Sequence, residues 1–215
     1  MSKGVIKLVS MQVQKELELQ TGDLILFRGT SWISTILEYV GKSKYSHVGI
    51  VIKNPQFLNE NLEDGLYLLD SSFGSSPDVE DGRIKYGVQL HKLDDILAQC
   101  APNSVYFRKI GATRDQAFYE KLAQIHKDVY DKPYDLHICD WIEAKLNMDA
   151  PIAINAVWRW TNRFWCSALV SYMYCQLGWI SECNWGIIAP REYSSTDCTG
   201  QVIFTCIISE ENVLY

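Results

Sequence analysis

The chain has 215 residues, 47% of them hydrophobic and 21% charged, with a formal net charge of −6. That length and apolar content suit one globular domain with a full core, and the negative balance argues against a general nucleic-acid surface. No apolar run of about 18 residues occurs, so no transmembrane segment is expected.

Residues 1–9 carry charge inside a short apolar run and lack a small-residue cleavage site, so no signal peptide is expected. Residues 1–17 read as an N-terminal arm, with alternation over 11–19 that suits a lead-in strand. Thr21-Gly22-Asp23 is a turn and Leu24–Phe27 a short buried strand. Ser31 can cap a helix with Trp32, Ile36, Leu37 and Val40 on its apolar face, stopping at Gly41. Ser46–Ile52 is β-rich and closed by Asn54-Pro55. Residues 53–65 form an acidic loop, and Leu66–Asp70 a strand antiparallel to the previous one. Ser71 to Arg83, rich in Ser, Gly, Pro and Asp, reads as a long surface loop suited to a site mouth.

Val88–Leu90 is a strand, 93–99 a short helix and Val105–Ile110 a further strand. Thr113-Arg114-Asp115-Gln116 opens a helix with a capping-box pattern, running to Val129, and 131–135 breaks it. Residues 138–160 hold a second helical segment interrupted at Pro151. Trp185–Pro190 and Tyr193–Gly200 are loop-like, and Gln201–Ile207 closes the chain as a strand. Strands, then helices, then a last strand make an α+β layer fold in one domain spanning 1–215.

Seven cysteines, at 100, 139, 166, 175, 183, 198 and 206, are an odd number without framework-like spacing. This argues for reduced thiols in a cytoplasmic compartment. No C-x-x-C occurs, and His137 with Cys139 lacks a second pair to complete a metal site. Neither metal nor cofactor is expected.

The run from Asn162 to Met173 carries the chemistry. Cys166, Leu169, Val170, Met173 and Leu177 fall on one helical stripe, and Gly178 stops it. Cys166 then sits in the first turn, where unpaired N–H groups and the helix dipole favour a thiolate. On the helix alone, a small buried apolar residue describes Cys166 as well as a nucleophile does. A nucleophile needs a general base. Of the four histidines, His91 ends a short strand, His126 lies on the 113–129 helix and His137 lies in a loop. His47 opens a strand on whose alternation it shares a face with Gly49 and Val51. The glycine permits close approach of a neighbouring chain, which fits a base facing the cysteine helix.

In order, Thr21–Gly29, Tyr45–Val51, Gly87–Leu90, Lys132-Pro133-Tyr134-Asp135 and Phe164–Val170 resemble the circularly permuted NlpC/P60 papain-like superfamily. The resemblance is in particular to its YiiX-like group, which includes poxvirus relatives. The resemblance covers residues 18–205, with the histidine strand ahead of the cysteine helix, the permuted order. It implies a small antiparallel sheet packed against helices that include the Cys166 helix. It also implies Cys166 as nucleophile, His47 as general base and later acid, and Asp70 as the group that orients the imidazole. Asp70 equally suits a strand-end residue bonding the Ser71-Ser72 turn. The Cys166 N–H is the natural oxyanion donor, with Tyr45, Ser46 and Trp165 placed to touch substrate or oxyanion.

The expected activity is that of a thiol hydrolase acting by acyl-thioenzyme chemistry on an amide or peptide bond. Lipid acyl hydrolysis or transfer is compatible with the same resemblance. A non-catalytic binding or host-interaction module on a papain-like scaffold is the alternative of another class. Substrates are accordingly a peptide, an amino-acid amide or a lipid acyl group, with no nucleic-acid partner. Trp158, Arg159 and Trp160 suit peripheral membrane contact or core packing. A viral source would place the protein in the virion or the host cytoplasm.

Overall fold

The computed structural model of the chain describes residues 18–29, 43–74, 76–134 and 164–215. The helix expected over 31–41, most of the lead-in strand, the 138–160 segment with Trp158, Arg159 and Trp160, and the His137–Cys139 pair lie outside these residues.

Among the described residues, eight strands run in chain order: β1 (Leu24–Phe27), β2 (His47–Lys53), β3 (Leu66–Phe73), β4 (Tyr86–Lys92), β5 (Val105–Arg108), β6 (Ile110–Gly111), β7 (Ile207–Ile208) and β8 (Asn212–Val213). Three α-helices accompany them among the described residues: α1 (Leu93–Leu97), α2 (Gln116–Val129) and α3 (Cys166–Leu177). Six strands form one antiparallel sheet in the order β4-β3-β2-β1-β5-β8, and β6 pairs with β7 apart from it.

Both faces of the sheet are covered. Leu24, Leu26, Val48, Ile50, Ile52, Leu69, Val88 and Leu90 pack on one face against Leu122 and Ile125 of α2 and Leu169, Val170 and Met173 of α3. Ile25, Phe27, Val51, Leu68 and Phe107 pack on the other face with Leu93 and Leu97 of α1. A strand buried on both sides has no polar face to show, which is why Leu24–Phe27 is apolar throughout. The architecture is α+β, as expected, although the sheet is larger than a small one. Among the described residues, no helix is long and apolar enough to cross a membrane.

Four elements depart from expectation. β3 continues through Ser71, Ser72 and Phe73, because both serines find buried partners. Asp70 is therefore mid-strand, and no turn follows it. α2 begins at Gln116 behind Asp115, whose carboxylate accepts from the Phe118 N–H at 2.9 Å; the Thr113 capping box does not form. The fifth strand breaks at Lys109, splitting into β5 and β6. The expected 201–207 strand reduces to a Phe204–Ile180 bridge and the short β7, and the last strand of the main sheet is β8. The 76–85 loop is pinned by Lys85, which reaches Asp78 at 2.7 Å and Asp81 at 3.0 Å.

Candidate functional site

α3 starts at Cys166 with Trp165 as its N-cap, in extended conformation and with no side chain capping the first turn. The first N–H groups of a helix lack intrahelical acceptors, so they and the dipole are available to an anion there. The helix ends at Gly178, whose left-handed φ of 75° closes the last turn. Its burial is wider than one stripe. Ser167, Ala168, Ser171 and Tyr174 are buried too, while Leu177 is only half-buried. Ser167 Oγ donates to the Ile188 carbonyl at 2.6 Å, and Ser171 shares a 2.5 Å hydrogen bond with the Tyr193 hydroxyl. These bonds hold the first half of the helix against the 185–193 segment.

His47 is the first residue of β2. Its Nε2 lies 2.6 Å from Asp70 Oδ2, and its side chain is 23% exposed against 5% for Asp70. The Cys166 sulfur is the other group that acts on the imidazole, raising its pKa. Burial by itself pushes an imidazolium's pKa down. Here the Cys166 sulfur, the hydrogen bond to Asp70 and the Asp70 charge outweigh it. His47 is raised from 6.5 to about 10. With Nε2 engaged by Asp70, Nδ1 is the nitrogen left to exchange a proton with the sulfur.

The close packing of β2 on β3 depends on Gly49. A Cβ there would stand 2.7 Å from Leu68 Cδ1 and 3.1 Å from Asp70 Cβ. Asp70 is held in turn. Ser72 Oγ donates to its Oδ1 at 3.1 Å, and Gln89 Nε2, from the β4 residue paired with Asp70, donates to Ser72 Oγ at 2.7 Å. Ser72 and Gln89 were not expected from the sequence. A glutamine inside an apolar strand, Gly87-Val88-Gln89-Leu90, is the one local signal for them.

Cys166 is 2% exposed. It is fixed relative to β3 and β4 through the residue two before it. The Phe164 carbonyl accepts from Ser71 Oγ at 2.6 Å, and the Phe164 N–H donates to the Pro133 carbonyl at 3.1 Å. Pro133 is bridged to Gly87, where a Cβ would stand 2.1 Å from the Lys132 carbonyl oxygen.

The remaining expected site residues sit differently. Tyr45 is fully buried, packed edge-on to Tyr106 at 5.6 Å, and its hydroxyl faces Glu211 and Arg28. Burial and the Glu211 carboxylate push its pKa up to about 12. Ser46 is buried, with Oγ on the Phe27 carbonyl at 3.3 Å. Both side chains are buried, and the Tyr45 hydroxyl has no hydrogen-bond partner among the described residues. Trp165 is half-buried against the main core, and its carbonyl accepts the Leu169 N–H of α3 at 3.0 Å.

Two open clefts lie elsewhere. One of about 740 Å³ is lined by Lys53, Phe57, Arg114 and Tyr119; one of about 540 Å³ by Leu58, Glu80, His126 and Tyr130. Neither includes His47, Asp70 or Cys166. Among the described residues, no three His, Cys, Asp or Glu side chains gather as a metal site.

No known protein family matches the sequence, and no curated protein matches it. Among solved structures, the metalloprotein YiiX from Escherichia coli O157:H7 is similar at 17% identity and a TM-score of 0.48. The match covers 90% of this chain and 98% of that one. At that level no residue role is carried over from it.

Proposed function

We propose that this protein is a cysteine-dependent hydrolase on a permuted papain-like scaffold, acting on an amide or peptide bond through an acyl-thioenzyme. The reading rests on one observation: Asp70 holds His47 at 2.6 Å, and the Cys166 sulfur at the start of α3 acts on the same imidazole. A thiol–imidazole pair oriented by a third group is the arrangement that nucleophilic acyl transfer requires.

In this reaction the Cys166 sulfur, its proton passed to His47 Nδ1, attacks the substrate carbonyl carbon. The carbonyl oxygen becomes an oxyanion and accepts from the Cys166 N–H. His47 returns the proton to the leaving amine as the C–N bond breaks, giving a thioester and a free amine. His47 then takes a proton from water, the hydroxide attacks the thioester, and the carboxylic acid leaves as the thiol is restored. Asp70 keeps Nε2 as a donor throughout and stabilises the imidazolium. Ser72 and Gln89 orient Asp70.

The test is to incubate the protein and its Cys166→Ala variant with a peptide library and, separately, with phospholipid and an acyl thioester. Amine release from peptides by the wild type alone supports the amidase reading. Release of fatty acid alone moves the substrate to the lipid class. No product from any substrate, with the variant and wild type binding the same ligands, leaves a non-catalytic module.

A further inference from the structure

A second thiol on the cysteine helix has a close partner outside the site. Cys175, near the end of α3, and Cys183, in the segment that doubles back after Gly178, have sulfurs 3.9 Å apart. Both residues are half-buried and both are free thiols. In its thiol form Cys175 Sγ also donates to the Ser181 carbonyl at 3.6 Å, which closes the turn between them. We propose that Cys175 and Cys183 form a dithiol modification site that closes reversibly to a disulfide on exposure to a hydroperoxide.

The two sulfurs are unequal. The hydrogen bond from Cys183 favours a thiolate at Cys175 and brings its pKa from 9.0 down to about 7. The same bond, with burial, holds the Cys183 thiol protonated well above its ordinary value. Cys175 is therefore the attacking sulfur and Cys183 the resolving one. The Cys175 thiolate attacks one peroxide oxygen and the O–O bond breaks, leaving a sulfenic acid and an alkoxide that takes up a proton as the alcohol. The Cys183 sulfur then displaces the hydroxyl from Cys175, the S–S bond forms, and the Cys183 proton leaves with that hydroxyl as water. Two thiols have lost two electrons and two protons to one hydroperoxide. The sulfurs have to close from 3.9 Å to a bond of about 2 Å.

The bond would clip the end of α3 to the segment running on to Ile188, whose carbonyl already holds Ser167 beside Cys166. A cross-link over so short a loop raises the unfolding temperature by a few degrees.

The full chain, reduced and then treated with equimolar hydrogen peroxide, is alkylated and mapped by mass spectrometry. The expected product joins the Cys175 and Cys183 peptides with a loss of about 2 Da. It forms faster as pH rises through about 7, is reversed by dithiothreitol, and persists in Cys166→Ala, which separates it from the hydrolase reading. Cys183→Ser should stop at a Cys175 sulfenic acid that dimedone traps, and Cys175→Ser should oxidise Cys183 at least tenfold more slowly. Disulfides scattered among the cysteines, first oxidation at exposed Cys198, or over-oxidation of Cys175 without a link in the wild type would overturn the proposal; the wild-type mapping needs no variant to fold.

Discussion

Ser71 Oγ donates a 2.6 Å hydrogen bond to the carbonyl of Phe164, two residues before Cys166. Its strand neighbour Asp70 holds His47 at 2.6 Å. Consecutive residues of β3 thus hold the segment leading into Cys166 and the His47 imidazole. Ser71→Ala leaves a buried carbonyl without its donor and should cost about 1–3 kcal/mol in urea unfolding. It should also slow alkylation of Cys166 while leaving that of Cys175 unchanged. An unaltered unfolding midpoint would show that the bond does not hold the loop.

Three glycines should rank by what a side chain would meet. Gly87→Ala places a Cβ 2.1 Å from the Lys132 oxygen at a φ of 145°. Neither the backbone nor the angle can yield, so the cost should exceed about 3 kcal/mol. Gly49→Ala meets the movable Leu68 Cδ1 at 2.7 Å and Asp70 Cβ at 3.1 Å, and should cost about 1–3 kcal/mol. Gly82→Ala meets nothing within 4 Å and carries only its φ of 72°, at about 1 kcal/mol. Thermal melts of the three variants check the order.

The raised pKa of His47 fixes a sign. Its folded value of about 10 lies above the ordinary 6.5. Protonated His47 therefore stabilises the fold fully below about pH 6.5, and that stabilisation is lost as pH rises through about 10. The melting-temperature gap between wild type and His47→Gln should be widest near pH 6 and narrow toward pH 10. Asp70→Asn removes a negative charge from the ring and should move the His47 titration, followed by NMR, to lower pH. A gap that widens with pH would contradict this assignment of charge.

Gln89 acts on His47 only through Ser72 and Asp70. Gln89→Met removes the donor to Ser72 and also the buried Oε1, which has no hydrogen-bond partner. Stability should then change by no more than about 1 kcal/mol, while the His47 titration shifts and Cys166 reacts more slowly. A loss of stability with an unmoved titration would make Gln89 a packing residue.

The legible parts of the fold were those specified locally. Leu24–Phe27 is an apolar run behind a turn, and Cys166–Leu177 is a helix with a glycine stop; both occur where the sequence places them. What escaped depends on distant partners. Ser71 and Ser72 read as loop residues because nothing nearby reveals that Phe164 and Asp70 await them. The burial of Tyr45 beside the histidine strand likewise depends on a distant partner, Tyr106, against which its ring packs. The segment 201–207 has strand composition but leaves Ile203 and Ile207 exposed. The chain instead returns to the main sheet at Asn212-Val213.

The central claim is that His47 activates Cys166, and the rate of alkylation by iodoacetamide tests it most directly. Labelling at each cysteine is followed by mass spectrometry from pH 5 to 10 in wild type and His47→Ala. Cys166 should react well below the free-thiol pKa of about 8.5 and lose that reactivity in the variant, whereas Cys175 keeps its own near-neutral profile in both. Slow labelling of Cys166 that follows an ordinary thiol and is indifferent to His47 would contradict the account.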